Sequence, residues 1–301
     1  MHIATHPFHR AISYYWTRLF PEHTFHFVCD EQYLSGASDD MPMRPRLPNV
    51  VLEHELSSAC TLAVSHTQSA WAFFSERLPT LHWFHHLPYE AAEIAPRPKV
   101  AVYLSPEAER LWGRGTQRVV ARHPIDAGYW WGYRGEDPRA LMVATMPLNW
   151  WGEKKGLGLF SHLVQRGIEY KLVGLNNETD WPQCDPEFVT DEGRMRELYR
   201  QCRVYGCTSP QIERAALEAL AVGMPLVLPR HRFNTLTEDL EGVVQVTDSE
   251  DEMYTALALY QRGQAVQDQA KIIAQRRLLR EHFAPLRVRQ AWRDAFEKME
   301  V

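Results

Sequence analysis

The sequence predicts an α/β fold made of two doubly wound domains, and three observations predict it. Short apolar runs without polar alternation recur, among them Val50-Val51-Leu52, Lys99 to Ser105, Ala140 to Thr145 and Leu226-Val227-Leu228, as expected of parallel strands covered on both faces. Segments of helical spacing stand between these runs, the alternation that builds a parallel sheet. The chain has 301 residues, more than a single core usually supports, so two domains of roughly 130 to 150 residues are expected.

Composition narrows the class. The formal net charge is −5 at pH 7, which argues against broad affinity for nucleic acid. The five cysteines, Cys29, Cys60, Cys184, Cys202 and Cys207, are odd in number and fit no zinc spacing, so a reduced, cytoplasmic setting is expected. The start, MHIATHPFHR, carries no long apolar run, and neither a signal peptide nor a transmembrane helix is expected. No internal repeat or low-complexity segment occurs.

In chain order, His2 to Thr5 reads as a strand, Ala11 to Phe20 as an aromatic-rich helix and His26 to Cys29 as a second strand. Residues 30 to 49, with Gly36, Pro42, Pro45 and Pro48, read as a long loop suited to acceptor recognition. Thr61 to Val64 and Leu81 to Phe84 are further strands, each followed by histidine, at Ser65-His66 and at His85-His86. Open α/β sheets keep their ligands at such carboxyl ends. Pro106 to Trp112 is a helix with proline in its first turn. Tyr129 to Pro138 reads as the interdomain connection, with Trp130 and Trp131 packing the hinge. Leu157 to Arg166 is a helix, Tyr170 to Gly174 a strand and turn, Asn176 to Glu187 a polar loop and Glu192 to Cys202 an amphipathic helix. The strands Arg203 to Gly206 and Gly242 to Val246 and three closing helices complete the chain.

Cys207 to Pro229 is the most informative stretch. Thr208 or Ser209 can cap a helix whose first turn accepts Pro210; Gly223 suits its C′ position, and Pro225 stops it. Ala216, Leu217 and Leu220 form its buried stripe, and the strand Leu226 to Leu228 follows. A helix that starts at the carboxyl edge of such a sheet points free N–H groups outward, an arrangement that binds phosphates.

Leu217-Glu218-Ala219-Leu220-Ala221 with Gly223-Met224-Pro225 resembles the L-E-A-M-A-x-G-x-P segment of retaining GT-B glycosyltransferases of the family-four type, the glycosyl transferases group 1. In that family this Glu holds the ribose of the nucleotide-sugar donor, the role the resemblance implies for Glu218. The Glu that usually stands eight residues earlier and holds the sugar is replaced by Pro210. Glu213 is the nearest carboxylate and is taken as the sugar ligand, the alternative being a pair with Arg214 or Arg194. Glu153-Lys154-Lys155-Gly156 resembles the family's E-K-G, whose lysine clamps the donor diphosphate, and Lys155 matches that lysine; the alternative is a solvated start of a helix. Thr145 stands where the family has an arginine, so Lys154, Arg230 or Arg232 would have to supply the second cation. Gly174 resembles the L-V-G turn near the nucleotide base, and Ser209 and Ile212 fall in the donor-binding loop. His85 matches a histidine that faces the donor sugar from the N-terminal domain, with His86 as the fallback.

The resemblance implies a GT-B architecture, two Rossmann-like doubly wound domains facing a cleft. Residues 1–135 would form the acceptor domain, 136–285 the nucleotide-sugar domain and 286–301 a helix packing back on the first. The expected activity is metal-independent transfer of a sugar from a nucleotide diphosphate sugar to an unidentified glycan, lipid, protein or nucleic acid, with retention and without a further cofactor. Two alternatives stay open: a non-catalytic GT-B module that binds a nucleotide sugar or a partner enzyme, and a nucleotide-sugar epimerase of the same architecture.

Overall fold

The computed structural model describes residues 1–6, 10–29, 47–84, 97–143, 156–174, 182–187, 189, 191–208, 214–230, 243–265 and 268–300. Its contacts divide the chain into two compact units, Met1–Pro124 with His282–Val301, and Ile125–Glu281.

The first unit is a seven-stranded parallel sheet. In chain order it contains β1 (His2–Thr5), α1 (Arg10–Arg18), β2 (Thr24–Val28), β3 (Val50–Glu53), β4 (Leu62–Ser65), α2 (Gln68–Ser75), β5 (Thr80–Phe84), β6 (Val100–Tyr103), α3 (Pro106–Trp112) and β7 (Gln117–Val120). The strand order is β3-β2-β1-β4-β5-β6-β7. The chain therefore winds outward from β1 in one direction and, after β3, returns to wind in the other. Thr5 of β1 lies opposite Val64 of β4, at the point where the order reverses.

The buried strands β4 and β6 are short and wholly apolar but for Ser65, which is why they read clearly in the sequence. Thr67 and Ser105 cap α2 and α3 by accepting from the amides of Ala70 and Ala108. The sequence reading does not anticipate α2, because Gln68-Ser69 at its start carries no periodic signal. The last helix of the chain, α10 (Pro285–Glu300), belongs to this unit. Its Val288, Trp292, Ala295 and Phe296 join the core formed by Trp16, Phe20, Phe25 and Trp83. The Trp292 ring lies 5.1 Å from that of Trp16 and 4.8 Å from that of Trp83.

The second unit contains α4 (Ala127–Trp130), β8 (Asp137–Val143), α5 (Leu157–Gln165), β9 (Tyr170–Val173), β10 (Cys184–Glu187), α6 (Glu192–Gln201), β11 (Cys202–Gly206), α7 (Arg214–Val222), β12 (Leu226–Pro229), β13 (Gln245–Thr247), α8 (Glu250–Gln261) and α9 (Gln269–His282). Its parallel sheet runs β10-β9-β8-β11-β12-β13, so the winding reverses between β8 and β11. The strand β10 corrects the expected polar loop at 176–187: Cys184 to Glu187 pair in register with Tyr170 to Val173. Pro186 and two carboxylates hide this strand from a hydrophobicity pattern, and its place at the sheet edge is what admits them.

Helix α7 ends as its residues predict. Gly223 takes φ 89°, and the amides of Gly223 and Met224 donate to the carbonyls of Leu220 and Ala219, the paired closure of a Schellman motif. The apolar stripe expected on this helix is too narrow, since Ala216 to Val222 are all buried together with Arg214. The connection before β8 is tied to this unit. Trp130 is buried edge-on against Tyr199, Trp131 lies beneath the Arg276 guanidinium, and the Tyr133 hydroxyl donates to the Arg203 carbonyl. All five cysteines are free thiols. Among the described residues no helix is long and apolar enough to cross a membrane.

Candidate donor-binding site

The place to look for a ligand in an open parallel sheet is the crevice outside the carboxyl ends of the two strands where the winding reverses. In the second unit these are β8 and β11. The chain leaving β8 comes back to the sheet at Gly156, and the chain leaving β11 passes through Cys207 and Thr208. The two segments touch. Gly156 has φ 77°, and a Cβ built on it would stand 2.0 Å from the Thr208 carbonyl oxygen. Glycine is required there both by the backbone conformation and by the close approach. Thr208 is itself buried, and its hydroxyl points to the Met142 sulfur of β8 at 3.9 Å.

Gly156 is the N-cap residue of α5 and, being glycine, has no side chain with which to cap the helix. The first amides of an α-helix have no acceptor within the helix, and with the helix dipole they favour an anion. Helix α5 thus begins at the reversal point, directly after the Glu153-Lys154-Lys155 run in the sequence. The arrangement suits a phosphate group.

Glu218 lies on α7, the helix that follows β11. Its carboxylate is buried, and its contacts include Arg214, one helical turn before it, which donates from Nε to Oε1 at 2.9 Å, and the Tyr199 hydroxyl of α6, which donates to Oε2 at 3.2 Å. Burial and the nearby Glu218 charge push the Tyr199 hydroxyl well above the usual tyrosine range, so it remains a donor. The pair is internal to the unit rather than a pair on the helix surface. Gly174 closes β9 at φ 146°, and its amide donates to the Glu187 carbonyl at 3.2 Å.

A charged network joins β8, β9 and β10. The buried Lys171 amine contacts Asp185 at 3.0 Å and Glu187 at 2.8 Å; Arg194 contacts Glu187 at 2.7 Å, and Arg139 bridges Asp137 and Asp185. The hydrogen bonds from Arg194, and after them those from Lys171, overcome burial and hold the Glu187 carboxyl down at about 2. Asp185 is lowered chiefly by the Lys171 hydrogen bond. Burial pushes Asp137 up, and the Arg139 hydrogen bonds outweigh it, leaving Asp137 lowered. These are structural contacts between neighbouring strands. No group of three or more His, Cys, Asp and Glu residues that could hold a metal ion occurs among the described residues.

Of the residues expected at the site, Gly174 and Glu218 are described; Thr145, Lys154, Lys155, Ser209, Ile212, Glu213 and His85 lie outside the described residues, as does His86. The strand before His85 is present, with His82 hydrogen-bonded through Nδ1 to the Ser65 hydroxyl at 2.8 Å. At the reversal point of the first sheet, the buried His66 meets the Thr5 hydroxyl through Nε2 at 2.9 Å. Its place at the end of an apolar strand was visible in the sequence, but the pairing of β4 with β1 was not. Arg214 was read only as an alternative partner for Glu213; its spacing of four from Glu218 was the available signal.

No family model matches the sequence, and no curated protein matches it. Solved structures do, along essentially the whole chain. Anabaena HepE in complex with UDP-glucose is 13% identical with a TM-score of 0.70, covering 99% of this chain and 99% of its own. Sucrose-phosphate synthase from Thermosynechococcus elongatus is 12% identical with a TM-score of 0.72 and covers 99% of each chain. The fold is GT-B. A UDP-forming α,α-trehalose-phosphate synthase from Burkholderia xenovorans agrees, at 12% identity and a TM-score of 0.65, covering 100% of this chain and 99% of its own. At such identity the likeness establishes the GT-B architecture, and the chemistry has to be argued from the residues.

Proposed function

We propose that the chain is a glycosyltransferase that moves a sugar from a nucleotide diphosphate sugar to an acceptor hydroxyl, with the anomeric configuration retained. The observation that carries this is the meeting of Gly156 and Thr208. It brings the glycine-capped start of α5 and the segment after β11 together at the reversal point of a GT-B sheet. The structures that share the fold include one in complex with UDP-glucose and one that is UDP-forming.

In the reaction the bond from the anomeric carbon to the diphosphate oxygen breaks, its electron pair leaves with the nucleoside diphosphate, and the acceptor oxygen bonds to the same carbon while its proton passes to the departing diphosphate oxygen. The chemical need is stabilisation of charge on the leaving diphosphate. The α5 amides and Lys155 supply it in this scheme, with Lys154 beside them and Thr145 in the arginine's place, and no metal is required. Glu218 accepts from the ribose hydroxyls, Gly174 lies toward the base, and Ser209 and Ile212 line the donor loop. Glu213 is the proposed sugar ligand, and His85 is the second candidate for contact with the sugar. The free thiols fit a cytoplasmic location. The acceptor stays open among glycan, lipid, protein and nucleic acid.

A non-catalytic nucleotide-sugar-binding module is the second reading, favoured by Pro210 standing where the family's sugar-binding Glu does. A thermal-shift screen of UDP-, GDP- and ADP-sugars tests the shared part of both readings: stabilisation by one base series supports a donor site, and no shift with any of them rejects it.

A further inference from the structure

We propose that His2, His26 and Glu53 form an acid-operated tie across β1, β2 and β3, which accepts one proton with its contacts intact and opens when a second arrives. The observation is a chain of two short contacts on one side of the first sheet. His26 Nδ1 lies 2.9 Å from Glu53 Oε2, and His26 Nε2 lies 2.9 Å from His2 Nδ1. Each of three adjacent strands supplies one side chain, and the middle one is only 5% exposed. β3 is the outermost strand of its sheet, and none of its four residues is fully buried.

The positions of the protons follow from the acceptors. An ionised carboxylate only accepts, so His26 Nδ1 carries a proton and donates to Glu53. The contact between the two rings needs one proton and only one between them. A neutral His26 accepts at Nε2 from a proton on His2 Nδ1, whereas an imidazolium His26 donates from Nε2 to a bare His2 Nδ1. The first added proton can therefore sit on either ring, where it balances the Glu53 charge. When both rings are imidazolium, two N–H groups face each other and the contact breaks.

The neighbouring groups leave this arithmetic unchanged. The face of the sheet that carries His26 also carries Ala4 and Val28 and is covered by α2 through Ala70 and Phe74, a helix without a titratable residue. The Cys60 thiol, between β3 and β4, is pushed up to about 11 by burial and after that by Glu53, so it stays neutral where histidines titrate. His6 is held by the Val28 carbonyl at 2.8 Å and by the rings of Phe73 and Phe74. The N-terminal amine lies 3.5 Å from His23 Nδ1, and His54 and Glu55, which follow β3, are exposed. The unfolded chain takes a proton on each histidine, while the folded tie holds one. Stability from the tie is therefore present at higher pH and lost as pH falls through the range in which histidines titrate, about pH 8 to 5. An opening that takes up one net proton gains about tenfold per pH unit.

The test is hydrogen exchange of the full chain between pH 8 and 5, read as protection factors so that the intrinsic pH dependence of exchange divides out. Protection of the β2 and β3 amides, with those of Phe25 and Cys29 that donate across to the Asn49 and Glu53 carbonyls, should fall by about tenfold per pH unit in the lower part of this range, while that of β5 and β6 stays level. His2→Gln is the deciding variant. Glutamine at this exposed position can donate to a neutral His26 or accept from a protonated one, so the variant should keep the protection seen at pH 8 and lose the acid fall. A wild type whose β2 and β3 protection stays level overturns the tie, and so does a His2→Gln variant that falls as steeply as the wild type.

Discussion

Gly156 and Thr208 are in backbone contact across the reversal point of the second sheet, so close that a single added carbon at 156 would stand 2.0 Å from the Thr208 carbonyl oxygen. The contact locks the start of α5 against the end of the β11 segment, although the two are 52 positions apart in the chain. Gly156→Ala is expected to cost about 2–4 kcal/mol, from a positive φ and an overpacked backbone contact. It should also weaken nucleotide binding, because the α5 amides shift. Urea unfolding together with nucleotide titration checks this, and a variant as stable as the wild type would show that the contact is not fixed.

Lys155 adjoins that glycine in sequence. If it contacts the donor diphosphate, Lys155→Ala should weaken donor binding by about 1.5–3 kcal/mol, the range of a charge-assisted hydrogen bond, without changing the unfolding midpoint of the free protein. Unchanged donor affinity would assign the lysine to solvent.

The network around Lys171 predicts an acid dependence of stability. Glu187 is held at about 2 in the folded protein against an ordinary value of 4.5. A carboxyl lowered by folding contributes stability that is fully present above its unfolded value and lost as pH falls through its folded one. The loss should therefore run from about pH 4.5 down to about 2, with Asp185 and Asp137 adding to it in the same direction. Glu187→Gln should be less stable than the wild type at neutral pH and show a shallower fall in this window. A parallel fall in both proteins would contradict the assignment.

Trp292 fastens the last helix to the first unit. It is 1% exposed and packs on both Trp16 and Trp83, so Trp292→Ala should cost about 3–5 kcal/mol. Tryptophan fluorescence followed through a denaturant series should show the lower midpoint, and hydrogen exchange should show loss of protection in α10.

Much of the fold was legible because its strands are buried on both faces. The apolar runs at Val100 to Tyr103 and Leu226 to Leu228 could scarcely be anything else in an alternating chain, and Pro106 and Gly223 with Pro225 marked helix ends by local backbone chemistry. β10 was not legible: Cys-Asp-Pro-Glu becomes a strand because an edge position accepts a proline and because Lys171 and Arg194 neutralise its acids, both facts of pairing rather than of the segment. The candidate site divides in the same way. Glu218 stood out by its local motif. The spacing of four to Arg214 was a signal within the helix, whereas the contact of Gly156 with Thr208 arises from the packing of segments far apart and leaves no mark in either of them.

The central claim is the use of a nucleotide sugar, and the most direct measurement is release of free nucleoside diphosphate from UDP-, GDP- and ADP-sugars by the full chain, with the glycoside product examined by NMR for the configuration at its anomeric carbon. The expected result is turnover of one donor series, strongly reduced in Lys155→Ala and Glu218→Gln, yielding a product with the donor's configuration. Absence of turnover with every donor and acceptor class tried, in a protein that still binds the nucleotide, would contradict the transferase and leave the binding module.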